Sequence, residues 1–220
     1  MRRHELAALI NYTATGPAFT NEDIRARLDR AIAAGCGTFT VSSSSVKFAS
    51  LLGRGEEITI GALTGGFPHG RLPIPVKALD AREAVRRGAD SLAVQVNIGG
   101  FKECSPDYLD KEVKDAVAAA DGRPVSAVLE SGYLNDDQMV KAALIAVEAG
   151  AGWIQIGTGY GPTNPTPADV SNLRSALPET VRIAVSGGIQ SVEQADALVS
   201  AGAERLGVDD AENLLERAEN

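Results

Sequence analysis

Few side chains in this sequence combine reactivity with a neighbourhood suited to chemistry. Glu130 directly follows the apolar run 125–129, the one carboxylate so placed. Burial there would raise its pKa into the range of a general acid or base; alternatively, backbone amides or an arginine would hold it as a structural carboxylate. Gln155 and Thr158 bring an amide and a hydroxyl that could polarise a carbonyl oxygen. Tyr133 and Tyr160 could donate a proton to such an oxygen, or could pack as a lid. His69, after Gly66-Phe67-Pro68, is either a proton carrier or a solvated loop residue. Asn11, Thr13, Thr40 and Asn97 add polar contacts. Two glycine-rich turns, Gly157-Thr158-Gly159-Tyr160-Gly161 and Ser186-Gly187-Gly188, could offer backbone N–H groups to a phosphate or could simply turn tightly. Asp209 and Asp210 stand where a phosphate would face a helix end, and two carboxylates repel a dianion. They either cap the helix or mark a pocket that has lost phosphate affinity or takes an amine.

Other chemistries find no support in the residue spacing. There is no CxxC or HExxH, and the only histidines are His4 and His69, so no metal site is expected, nor any other cofactor. No Ser/His/acid order stands out, and Ser42-Ser43-Ser44-Ser45 reads as a cap and turn. Lys102 reads as a solvated loop residue, and Lys47, Lys77, Lys111, Lys114 and Lys141 as helix surface.

The elements that must position these residues follow from a recurring pattern. A helical segment ends in Ala34-Gly35, Arg87-Gly88, Ala149-Gly150 or Ala201-Gly202, and a short apolar run follows. Glycine just past a helix supplies its left-handed cap. Short apolar runs without alternation suit strands covered on both faces. The pattern predicts strands over 8–12, 38–41, 59–63, 91–96, 125–129, 153–156, 182–185 and 205–207. It predicts helices over 21–34, 44–52, 76–87, 106–120, 136–149, 167–176, 192–201 and 210–218. Eight alternating units favour a single (β/α)8 TIM barrel over residues 1–220. An open doubly wound sheet would want a glycine-rich first turn, and Asn11-Tyr12-Thr13-Ala14-Thr15-Gly16-Pro17 is not one. In a barrel, chemistry sits at the C-terminal ends of the strands, where the candidate residues of the opening paragraph fall.

Composition narrows the partners. The 21 basic and 29 acidic residues sum to a net charge of −8, which argues against nucleic acid and anionic membrane. Aromatic residues make up 5%, too few for a base-stacking surface. Two cysteines, Cys36 and Cys104, suit reduced thiols in a cytoplasmic protein. Neither a signal peptide nor a membrane span is expected. A homodimer is the default assembly for a soluble barrel of this size.

Read together, these segments resemble the deoxyribose-phosphate aldolase family over nearly the full length. The likeness is carried by Ile10-Asn11-Tyr12-Thr13, Gly66-Phe67-Pro68-His69-Gly70, Val96-Asn97-Ile98-Gly99, Leu129-Glu130-Ser131, Gly157-Thr158-Gly159-Tyr160 and Ser186-Gly187-Gly188-Ile189, in this order. The resemblance implies a class I aldolase-like barrel that joins acetaldehyde to an aldehyde phosphate through a lysine Schiff base. It also implies that the chemical residues have changed. The position of the Schiff-base lysine holds Gln155, and that of the second lysine holds Ala184. The proton-relay aspartate falls on Ala93, the second-strand cysteine on Thr40 and the first-strand aspartate on Asn11. The serine-rich phosphate turn falls on Val208-Asp209-Asp210-Ala211. Thr13, Thr158, Gly159, Gly187 and Gly188 match. An amide nitrogen is not a nucleophile, so iminium chemistry is expected to be absent or very slow. Three readings stay open. The chain is an enzyme acting on a small carbonyl compound without a covalent imine, by retro-aldol cleavage, dehydration, isomerisation or cyclisation in a biosynthetic setting. Or it is a binding or regulatory subunit that keeps the pocket. Or it is a true aldolase with a relocated lysine, Lys102 being the best candidate.

Overall fold

A computed structural model of the chain describes residues 1–103 and 106–218. Cys104 lies outside them. The elements run α1 (Arg3–Leu9), β1 (Ile10–Ala14), α2 (Asn21–Ala34), β2 (Thr38–Ser42), α3 (Val46–Leu52), β3 (Thr59–Thr64), α4 (Ile74–Arg86), β4 (Ser91–Gln95) and α5 (Ile98–Glu103). They continue through α6 (Pro106–Ala119), β5 (Val125–Leu129), α7 (Asp136–Glu148), β6 (Trp153–Ile156), α8 (Pro167–Ala176), β7 (Arg182–Ser186), α9 (Val192–Ser200), β8 (Arg205–Val208) and α10 (Ala211–Glu216). The strands pair in parallel in chain order, and β8 closes on β1, giving the (β/α)8 barrel.

Local chemistry sets the helix ends. Thr20, Asn135, Thr166 and Ser191 each accept the N–H three residues on, and the side chain at that third position reaches back in turn. The four glycines of the recurring pattern, Gly35, Gly88, Gly150 and Gly202, all have positive φ, between 75° and 114°. Each turns the chain from a helix into the next strand without a Cβ clash.

Strand alternation divides the core in two. On β1, Ile10, Tyr12 and Ala14 are buried beneath the helices, while Asn11 and Thr13 face the barrel mouth. Inside the barrel the layers are partly polar, with Thr40, Ser91, Gln155 and Ser186 all buried. Small residues on neighbouring strands admit them. A Cβ on Gly61 would lie 2.4 Å from Thr40 Oγ1, and one on Gly207 would lie 1.9 Å from Ser186 Oγ. Trp153 lies beside the opposite, N-terminal end of the strands, where the Arg205 guanidinium stands 4.0 Å from its ring centroid. No helix among the described residues is long and apolar enough to cross a membrane.

The structure corrects several expectations. Leu6–Leu9 closes the helix α1, with Leu6 and Ala7 buried, so β1 begins at Ile10 and not at residue 8. The second helix is split into a 3-10 turn, Ser43–Ser45, and α3. Lys102 rides on the short helix α5 and donates to the Tyr133 carbonyl instead of standing free in a loop.

Lys77 is not on the helix surface. It is fully buried, with Nζ 2.7 Å from Glu112 Oε1 and 2.6 Å from the Gln95 carbonyl oxygen. The other Glu112 oxygen accepts the Asn97 N–H at 3.0 Å. Burial pulls the Lys77 amine below and pushes the Glu112 carboxyl above their ordinary values, and each charge partly restores the other. The pair joins α4 and α6 to the C-terminal end of β4. Removing one partner strands the other charge, which typically costs more than removing both. Lys77→Met should therefore lower the unfolding free energy by roughly 3–5 kcal/mol in urea titrations. Lys77→Met combined with Glu112→Leu should recover more than half of that loss. Equal destabilisation of the two variants would contradict this account of the pair.

Candidate active site

The C-terminal rim of the barrel holds two adjoining hollows. The first, of about 210 Å³, opens over the barrel axis. It is bordered by Asn11 and Thr13 from β1, Thr40 from β2, Gln155 from β6, Ser186 from β7, and the turns carrying Thr158, Tyr160, Gly187, Gly188, Asp209 and Asp210. Eleven of the sixteen residues expected at the site thus meet in one cavity. The second hollow, of about 430 Å³, lies on the β3–β5 side and is bordered by His69, Glu130, Tyr133 and again Tyr160. Phe67 and Tyr160 meet edge to face, centroids 5.1 Å apart, at the partition.

Glu130 is therefore not in the axial cavity beside Gln155, as the sequence suggested, but behind its wall. It is 4% exposed. One carboxyl oxygen accepts the Thr158 hydroxyl, and the other, Oε1, has no partner among the described residues. Gly161 lies directly over that oxygen; a Cβ there would sit 2.5 Å from it. Burial raises the Glu130 pKa above the ordinary carboxylate value, opposed by the hydrogen bonds from Thr158. Thr158 borders the axial cavity, so its hydroxyl connects that cavity with a carboxyl that does not reach it. The same hydroxyl oxygen accepts the Tyr160 N–H at 3.1 Å, which fixes its position.

Gln155 donates its side-chain N–H to the Gly157 carbonyl at 3.3 Å, holding the amide at the end of β6. Its register neighbours are Val128 on β5 and Ala184 on β7. Thr13 donates to the Asp209 carboxylate, tying β1 to the turn after β8. Asp210 caps α10 by accepting the Asn213 N–H at 3.2 Å, so the capping reading holds for it. Gly159 borders neither hollow; it lies against Gly187, so the turns after β6 and β7 touch. Asn97 also borders neither hollow. Its side chain donates to Tyr108 and accepts the Gly100 N–H, and so it ties α5 to α6.

No lysine, arginine or histidine borders the axial cavity among the described residues. Lys77 is sealed behind β4, and Lys102 stands in the second hollow. The second hollow also contains two residues the sequence reading missed, Arg71 and Gln95. Gln95 carried a readable signal, a single amide within the apolar run Ser91-Leu92-Ala93-Val94-Gln95-Val96. Its Oε1 is buried without a partner among the described residues. Cys36 is buried, and its thiol is pushed up to about 11, as expected of an unreactive core cysteine.

No protein-family model matches the chain. The deoxyribose-phosphate aldolase of Thermococcus gammatolerans is 33% identical to it over 220 residues, covering 98% of this chain and 97% of that protein. The enzyme of the same name from Methanothermobacter thermautotrophicus is 35% identical over 215 residues, covering 97% and 95%. Among solved structures, the aldolase QR15 superposes with a TM-score of 0.91 at 28% identity, covering 96% of this chain and 94% of its own. The deoxyribose phosphate aldolase of Aeropyrum pernix, described as a unique tetramer, superposes with a TM-score of 0.90 at 27% identity, covering 97% and 91%. Barrel, strand-end motifs and sequence agree along nearly the whole length, and the chain belongs to the deoxyribose-phosphate aldolase family.

Proposed function

We propose that this chain is an enzyme of that family that acts on a small carbonyl compound by acid–base chemistry without a covalent imine. One observation carries the reading: the axial cavity is lined with hydrogen-bonding side chains from β1, β2, β6 and β7 and with no amine among the described residues. Schiff-base catalysis needs an amine of lowered pKa at the carbonyl. The one lysine whose pKa burial lowers, Lys77, is locked onto Glu112 away from the cavity.

The chemistry left to this geometry is polarisation and proton transfer. A carbonyl oxygen in the cavity meets the Thr158 hydroxyl, with the Gln155 amide and the Tyr160 phenol on the same border. With Glu130 protonated, its O–H donates to Thr158 and the Thr158 hydroxyl turns to the carbonyl. As the substrate's α C–H bond (in retro-aldol cleavage its Cα–Cβ bond) breaks and that electron pair moves onto the oxygen, Thr158 passes the oxygen a proton and takes one from Glu130, leaving Glu130 as carboxylate. The α-proton or the β-hydroxyl proton leaves to water at the open mouth of the cavity. The reverse transfer restores the acid. The enol so formed is the shared intermediate of retro-aldol cleavage, dehydration, isomerisation and ring closure. His69 stands in the second hollow with Glu130 and gives the proton a route to solvent. Lys102 is exposed and its ammonium is on the Tyr133 carbonyl, which argues against the relocated-lysine reading. A homodimer remains the assembly we propose.

Borohydride treatment in the presence of acetaldehyde should leave the intact mass unchanged. Gln155→Lys should add little cleavage of deoxyribose phosphate, because Ala184 and Ala93 provide neither a neighbouring cation nor a relay. A reduced adduct on the unmodified chain, mapped to Lys102, would transfer the chemistry to the second hollow.

The Glu130 assignment has a pH signature. Its folded pKa is raised above 4.5, so the fold favours the protonated form. Stability from this group is full below the unfolded value and is lost as pH rises through the folded one. Glu130→Gln, locked neutral, should unfold at higher urea concentration than the parent at pH 8, and the two should converge below pH ~4. With any substrate that turns over, the same variant should be slower by ~10²–10⁴. A variant less stable than the parent at pH 8 would show that the carboxylate is the favoured form.

A further inference from the structure

The charged groups bordering the axial cavity have one sign. Asp209 and Asp210 are its only ionised side chains among the described residues. Next to them, across the β1–β8 pairing, Asn11 is paired in register with Gly207 and is 6% exposed. Its Oδ1 is buried and finds no hydrogen-bond donor among the described residues. A buried acceptor without a donor, in the wall of a cavity, calls for a ligand that supplies one.

One cation stands close to the acids without forming an ion pair with either. Arg27 donates to the Asp209 main-chain carbonyl at 2.8 Å and stacks 4.5 Å from the Phe19 ring centroid. Its hydrogen bond is to the backbone and not to the carboxylate. Asp209 instead accepts the neutral Thr13 hydroxyl, which leaves its charge in place at the rim. In water a unit charge pair at 4 Å shifts an equilibrium by about five- to sixfold. Two carboxylates therefore oppose a phosphate dianion strongly and favour a cation by the same physics.

From this we infer that the barrel mouth recognises a small hydroxylated carbonyl compound bearing an ammonium group, seated against Asp209, Asp210 and the Asn11 carbonyl. The inference deepens the functional reading above and rests on it for the carbonyl; the charge of the ligand stands on the cavity alone. The ammonium supplies the donor that Asn11 Oδ1 lacks, and its remaining N–H groups reach the two carboxylates. The hydroxyls of Thr40 and Ser186 match hydroxyl groups along the ligand.

A three-carbon series isolates the charge. 3-Amino-1,2-propanediol, glycerol and glycerol 3-phosphate share one skeleton and carry positive, zero and negative charge. Titrated into the full chain and followed by the side-chain amide resonances of Asn11 and Gln155, the amine should bind at least tenfold tighter than glycerol. Glycerol 3-phosphate should give no saturable shift. Asp209→Asn with Asp210→Asn keeps the acceptor for Thr13 and a good helix cap, so the fold is retained. This variant should lose at least tenfold in amine affinity and little in glycerol affinity. Phosphate binding equal to or tighter than amine binding overturns the inference. So does amine binding that the double variant leaves unchanged, and so does failure of all three compounds to bind at their solubility limits. Amine binding without turnover of any amino-carbonyl compound would sink the catalytic reading while leaving this one standing.

Discussion

In a closed ring of eight parallel strands, alternate side chains of every strand compete for one narrow interior. That competition governs what this chain can place at its mouth. Thr40 fits because β3 carries Gly61 opposite it, and Ser186 fits because β8 carries Gly207. The interior is thus filled in small, hydrogen-bonding units, and the unfilled volume is left at the C-terminal end. The same closure brings β8 beside β1, so Asn11 and Thr13 share a wall with Asp209 although nearly 200 residues separate them in the chain.

Charge placement follows the same division. A lone ion inside the barrel would be heavily penalised by desolvation. Among the described residues a matched buried ion pair, Lys77 and Glu112, lies instead in the helix layer behind β4. There they serve geometry, because between them they hold the Gln95 carbonyl and the Asn97 N–H. Asn97 in turn takes Gly100 and Tyr108, so the start of α5 and its packing on α6 depend on a salt bridge that no ligand reaches. Among the described residues the cations that border a hollow, Arg71 and Lys102, stand in the second with Glu130, and the charged groups bordering the first are acids. The two hollows therefore differ in sign across a wall one aromatic pair thick.

Much of this was legible in the sequence, for identifiable reasons. The strands Val125–Leu129 and Trp153–Ile156 and the helix Pro167–Ala176 fall where the apolar runs and the Thr166 cap put them. Those signals are local, set by burial and by hydrogen bonds within a few residues. The failures are non-local. Nothing near Lys77 in sequence marks it as buried; its partner is 35 residues away on another helix. Leu6–Ile10 is equally apolar as strand or helix, and the helical start is held by the Glu5 carboxylate, which accepts the Arg2 main-chain N–H and guanidinium. The set of strand ends identified the axial cavity, but which side of its wall each side chain occupies depends on loop paths that spacing does not encode. Asn97 and Glu130 both end strands, and neither borders that cavity.

Glu130 shows how such a position gains chemical meaning. A carboxyl facing open water would stay ionised at neutral pH and could not serve as an acid there. Here the turn after β6 folds back so that Gly161 covers one oxygen and Thr158 binds the other. The cover removes water and favours the proton, while the Thr158 hydroxyl stabilises the carboxylate that remains once the proton has gone. Both effects come from one turn, Gly157-Thr158-Gly159-Tyr160-Gly161, which also supplies Tyr160 to the wall between the hollows. The glycine that covers one Glu130 oxygen and the threonine that binds the other are thus three residues apart. A Cβ at position 161 would meet the carboxyl, so any other residue here would have to displace the Glu130 side chain. The burial that raises the Glu130 pKa and the hydroxyl that links its carboxyl to the axial cavity are consequently set together, by the backbone course of a single segment.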